Sequence, residues 1–298
     1  MATRKVWYTL STVLMVVCFA SFFTRGLNFA IDFTGGISIE ASFPNDAKID
    51  RIREGVEAAG YSEPQVQTFG STRDITIRLR STGETAEVLR PKVQSILNAV
   101  DPTVQITQLE VVGPQVGDQL RYAAIVSLAV TLALIALYII VRFHTWRLSL
   151  GAILAVMHDP ILVLGAFSIT QTLFDLSVVA AILAVIGYSL NDTIIVFDRI
   201  RERFEQNRRQ APDVTLDQAI NQTLSRTIMT KVTTCIVVVA LLVLGGPALL
   251  GFSEALLIGI VAGTYSSIYI SSAIALTCGL KAEHLFPTVR KDPIDELP

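Results

Sequence analysis

Six apolar runs divide this chain, at residues 6–23, 123–141, 148–169, 176–197, 232–250 and 255–278. Each approaches the ~20 residues a helix needs to cross ~30 Å of hydrocarbon. In hydrocarbon every backbone polar group must be satisfied within the segment, so such runs fold as helices. The reading is an α-helical membrane protein with six transmembrane helices. Charged residues make up only 17% of the chain, against ~25% in ordinary soluble domains. Gly245-Gly246-Pro247 breaks the last two runs apart. Arg4 and Lys5 before the first run, with Cys18-Phe19-Ala20 inside it, carry marks of a signal peptide. The apolar core is long for one, which favours a retained anchor.

Lysine and arginine in the short segments set the orientation. Arg4 and Lys5, then Arg142 and Arg147, then the segment 198–231 with Arg199, Arg201 and Arg203, and finally Lys281, Arg290 and Lys291 are basic. The alternate loops, 170–175 and 245–254, carry no Lys or Arg. With six spans all basic segments fall on one side. Both termini are then cytoplasmic, and the polar stretch after the first span faces outward.

That stretch alternates strand and helix signals: 37–43, a helix over 47–59, strands at 66–69 and 75–79 around Gly70, a helix over 84–100, and a strand over 104–112. The order β-α-β-β-α-β is that of a small α+β ferredoxin-like unit. Its charge balance is slightly acidic, which excludes a phosphate or nucleic-acid reader. Glu40 and Asp74 read as solvated surface charges. Asp32-Phe33-Thr34-Gly35-Gly36 and Val112-Gly113-Pro114 flank the unit as turns.

The chemistry lies in the apolar runs. Asn191 and Asp192 sit inside the fourth, where a carboxylate costs roughly 2.5–3.5 kcal/mol or more at the bilayer centre. Such a group needs a partner, a water cavity or an ion path. Ala180, Ala184, Gly187, Asn191 and Asp198 form a small and polar stripe suited to a packed helix interface. His158-Asp159-Pro160 falls near the middle of the third run, and Pro160 removes a helical hydrogen bond. Asp198, at the end of the fourth run, is expected to pair with Arg201 or Arg203 on its own helix. Arg226 precedes the fifth run and either anchors the cytoplasmic side or reaches inward to Asp192. Residues 199–226 read as an amphipathic loop along the membrane surface, split at Ala211-Pro212-Asp213. Cys18, Cys235 and Cys278 form no disulfide framework or zinc pattern, and no phosphate-binding glycine loop occurs.

Together these motifs carry a family resemblance. Besides the two turns, the marks are Gly187-Tyr188-Ser189-Leu190-Asn191-Asp192-Thr193, Phe197-Asp198-Arg199-Ile200-Arg201-Glu202 and Gln222-Thr223-Leu224-Ser225-Arg226-Thr227. The chain resembles the SecF family, the smaller members of the paired SecD and SecF protein-export membrane proteins. The resemblance implies half of an RND-superfamily membrane unit, with SecD supplying the other half. It also implies association with the SecYEG channel and YajC, action on unfolded exported polypeptides, and use of the proton-motive force. Asp192 and Arg226 match the family's proton-flow carboxylate and arginine. Asp198, Asp159 and His158 follow as further relay candidates, and Asp32, Gly35, Gly36, Gly113, Pro114 and Asn191 as motif residues.

The expected protein is therefore a non-enzymatic accessory subunit of protein export in the bacterial inner membrane. It needs no cofactor or metal. Its expected divisions are 1–23 (N-terminus and first span), 24–121 (outward domain), 122–198 (spans two to four), 199–231 (cytoplasmic loop), 232–278 (last two spans) and 279–298 (tail). The alternatives are an RND-type efflux subunit for small molecules or lipids, and a structural subunit of the translocon that moves no protons.

Overall fold

The protein is described by a computed structural model covering residues 1, 3–61, 64–69, 71–80, 85–246 and 249–286. Gly70, Glu84, Pro247, Arg290 and Lys291 lie outside the described residues. Among the described residues, six helical segments are long and apolar enough to span a membrane: α1 (Arg4–Arg25), α5 (Pro114–Phe143), α6 (Trp146–Thr170), α7 (Leu176–Gln206), α8 (Pro212–Leu244) and the sixth, Leu250–Thr277. The sixth is α9 (Leu250–Tyr265), a wider π-helical turn at Ser266–Ile270, and α10 (Ser271–Thr277).

These helices divide into inner and outer ones. In their most apolar stretches α6 and the sixth span are 61% buried, whereas α5 is 6% and α1 is 11%. Close approach at the centre requires small residues. A Cβ added to Gly259 of α9 would lie 2.2 Å from Val185 Cγ2 of α7, so only a glycine lets these helices touch.

The amphipathic segment 199–226, read as split at Ala211-Pro212-Asp213 with a second helix from Thr215 or Asp217, is taken up by the end of α7 and the start of α8. Nothing between Asp198 and Gln206 breaks the helical period, and Ile200 and Phe204 are fully buried, so α7 runs on past the apolar run. Pro212 opens α8 at its first turn, where its missing N–H costs nothing. Residues 207–211 alone connect them.

Between α1 and α5 lies an α/β insertion built from β2 (Gly36–Ser42), α3 (Ile49–Ala58), β3 (Gln65–Phe69), β4 (Ser71–Leu79), α4 (Ala86–Val100) and β5 (Gln105–Val112). The strands pair antiparallel in the order β3-β4-β2-β5. Alternation along each strand sorts the faces. Ile37, Ile39, Ile75 and Ile77 face Ile52 and Val56 of α3 and Leu89, Val93 and Leu97 of α4. Ser38, Glu40, Thr76 and Arg78 take the other face.

A joint ties insertion to bundle. β1 (Asn28–Phe29) pairs in parallel with β6 (Leu173–Phe174), in the connection between α6 and α7. The short α2 (Ile31–Thr34) follows, and Phe29, Phe33 and Phe174 pack ring to ring at 5.7–5.8 Å. Asp32 Oδ2 accepts a hydrogen bond from the Leu176 N–H (3.1 Å), and Asp175 accepts from Val178 (3.0 Å). Two carboxylates thus cap α7, satisfying N–H groups that have no intrahelical partner. Gly35 (φ +67°) and Gly36 (φ +138°) turn the chain into β2. A Cβ on Gly35 would meet Pro114 Cα at 2.8 Å. The two sequence turns that flank the insertion therefore pack against each other.

Candidate functional site in the helix bundle

Asp192 is 4% exposed on α7, and its partner is Lys231 of α8, itself 7% exposed. Lys231 Nζ lies 2.7 Å from Asp192 Oδ2. The contact is an ion pair, and no donor is aligned on that oxygen for a hydrogen bond. Asp192 is sixteen residues along α7, ~24 Å from its capped end at 1.5 Å per residue.

One turn back on α7, the Ser189 hydroxyl donates to Asp159 Oδ2 of α6. Asp159 is fully buried, and His158 Nδ1 lies 3.1 Å from its other oxygen. On the far side of the ring, Tyr265 at the end of α9 hydrogen-bonds His158 Nε2 at 2.8 Å. Gly263 leaves the room this needs, since a Cβ there would sit 3.3 Å from Asp159 Oδ2. α6 continues through Pro160, whose ring nitrogen cannot donate to Val156.

Two polar clusters thus lie side by side: Lys231–Asp192 and Ser189–Asp159–His158–Tyr265. Ser189 and Asp192 are three apart on α7 and share a face. A groove of about 630 Å³ between α8 and α9 is walled by Lys231 and Tyr265 and otherwise mainly by apolar side chains such as Ile228, Val232 and Ile236. The arrangement sets a paired carboxylate beside a hydroxyl and an imidazole, groups able to exchange protons.

Other expected residues fall elsewhere. Arg226 is exposed on α8 and makes no ion pair among the described residues. Five residues before Lys231, it lies about 140° around the helix, on another face. Asp198 pairs with neither Arg201 nor Arg203. Arg142 Nη2 at the end of α5 lies 2.7 and 2.8 Å from its two oxygens, because α5 packs alongside α7 there. Arg203 instead bonds Gln222, and Arg201 lies over Phe286. Gly187 and Asn191, expected at a packed interface, are exposed and face away from the chain's own helices. Sequence reasoning missed Lys231, Ser189 and Tyr265 as site residues. The signal for Ser189 was its three-residue spacing from Asp192.

The charges of the insertion are also less free than expected. Asp74 accepts hydrogen bonds from Ser42 and Ser71, both at 2.6 Å, and these hold its carboxyl below the usual range. Burial pushes the Glu40 carboxyl up, reinforced by the nearby Glu110 and Asp74.

Residues 92–281 match the family model described as protein export membrane protein SecD/SecF, C-terminal, and residues 20–43 match the SecD/SecF GG motif. The chain is 45% identical to protein translocase subunit SecF of Haemophilus influenzae, covering 100% of this chain and 91% of that one. It is 44% identical to the Vibrio alginolyticus subunit of the same name, covering 100% and 96%. A crystal structure of SecDF from Thermus thermophilus, described as a translocon-associated membrane protein, superposes with a TM-score of 0.85 at 34% identity. The match covers 93% of this chain and 38% of that longer one.

The fold and the comparisons define a multi-pass membrane component of protein export. The chain belongs to the SecD/SecF family, on its SecF side, as an accessory subunit of Sec protein export.

Proposed function

We propose that this subunit works with SecD to drive or complete polypeptide translocation across the bacterial inner membrane, using the proton-motive force. The observation that carries this reading is the buried Asp192–Lys231 pair beside the Asp159–His158–Tyr265 cluster. Charged and ionisable groups so deep in a bundle are costly and mark ion paths. Asp192 takes a proton from one side and releases it to the other. Asp159 and His158 extend the path, and Asp198, held by Arg142, steadies its cytoplasmic end.

The SecD partnership is supported by the length of the matched SecDF chain, of which this chain covers 38%. The exposed face of Gly187, Asn191 and Arg226 is the surface for the second RND-type half. Both termini are cytoplasmic. The insertion is a ferredoxin-like domain on the outer side, whose strand order fits that unit, and residues 24–121, 199–231 and 279–298 keep the outward and cytoplasmic assignments made above. SecYEG, YajC, exported chains and membrane lipids are the proposed surroundings.

The test is export of a secretory precursor after depletion of this protein, with rescue by wild type or by Asp192→Asn at matched membrane levels. The proposal expects rescue by wild type only, with at least a tenfold difference in export rate. Equal rescue would return Asp192 to a packing role and leave a structural subunit.

A further inference from the structure

We propose that Lys231 is the counter-ion that sets when Asp192 takes up its proton, a positioning residue of the path rather than a cytoplasmic anchor. This rests on the proton-coupled reading above. A lysine is almost never buried unless it is paired. Lys231 is 7% exposed, and its ammonium contacts the carboxylate of Asp192.

Among the described residues, the other ionisable groups packed around Asp192 are engaged elsewhere or face away from it. From α6, Asp159 and His158 are engaged with each other and with Ser189 and Tyr265. From α5, Arg142 is neutralised by Asp198 of α7. On α7 itself the neighbouring Tyr188 is a phenol whose ring lies 6.0 Å from the same ammonium. On α8, Arg226 points to the exterior. Among the described residues, Lys231 is the cation in contact with this carboxylate.

Two consequences follow. An opposite charge this close favours the ionised carboxyl, typically by about one to three pH units. Lys231 supplies that opposite charge at contact distance, in a setting where both groups are buried. Once Asp192 is protonated, the ammonium has lost its compensation against a groove lined mostly by apolar atoms. The protonated state is thus the strained one, and release of the proton restores the pair.

The experiment is an infrared titration of the purified complex with SecD, following the protonated-carboxyl band that disappears in Asp192→Asn. Lys231→Met is expected to move the midpoint of that band upward by at least one pH unit. Lys231→Arg, which keeps the charge, is expected to leave it in place. Export in membrane vesicles follows the same order: Lys231→Met falls at least fivefold at neutral pH and recovers in part at alkaline pH, whereas Asp192→Asn does not recover. Lys231→Gln replaces Lys231→Met if the latter does not reach the membrane. An unchanged midpoint in the neutral variant overturns the assignment, as does an export loss that no pH relieves. If the midpoint moves while Asp192→Asn exports normally, Lys231 remains the counter-ion and the proton-coupled reading fails instead.

Discussion

The α/β insertion and the helix bundle solve opposite problems with one chain. The insertion buries an apolar core of Ile37, Ile39, Ile52, Ile77, Leu89 and Leu97, and its polar strand face closes over a cleft shared with Gln171, Asp175 and Leu250 of the bundle. The bundle exposes Val13, Ile125, Leu134 and Ile236 and buries His158, Asp159, Ser189, Asp192 and Lys231. Apolar burial drives folding only where water is the alternative. Inside hydrocarbon that force is absent between helices, and close packing of small residues with polar contacts takes its place. A charge in the first core is a defect, whereas the second core holds its charges in pairs.

The largest break in this comparison comes from moving a charge to the wrong core. Ile39→Asp places a carboxylate among fully buried isoleucines, at an expected cost of about 4 kcal/mol or more. Trypsin cleavage within residues 36–112 of the membrane-inserted protein is the readout, and the variant is expected to be cut rapidly. A smaller effect is expected where the bundle depends on shape. Gly259→Ala drives a methyl into Val185 and costs about 1–3 kcal/mol, read as a lower thermal midpoint in detergent. Adding Val185→Ala is expected to return most of the loss, because it removes the atoms that collide.

The smallest effect tests the insertion's electrostatics. The folded-state pKa of Glu40 is raised, so its carboxyl favours folding when protonated and opposes it as pH rises through that value. Glu40→Gln is expected to raise the insertion's resistance to trypsin slightly at neutral pH and to leave it unchanged below about pH 4. A variant less resistant than wild type at neutral pH would show that Glu40 is held by a favourable contact instead.

The six spans were legible because hydrophobic length alone marks them. The alternation over 37–43 and the helical spacing over 47–59 likewise fall on a strand and a helix. What escaped was whatever depends on which helices lie side by side. The partner of Asp198 sits 56 residues away on α5, beyond any local spacing rule. Lys231 counted among cytoplasmic basic residues, since position along a run says nothing of which way a side chain faces. The long α7 and α8 were hidden by their polar ends, where apolar content stops but helical hydrogen bonding continues. β1 and β6 are two residues each, too short to leave a periodic trace.

The β1–β6 joint also makes the molecule a lever. The chain leaving α1 is stitched to the bend between α6 and α7, and Asp32 grips the first turn of α7. Those two helices carry Asp159 and Asp192. Through those contacts the bend and the root of the insertion are built as one piece. The link runs through backbone pairing and a helix cap rather than through side-chain contact alone.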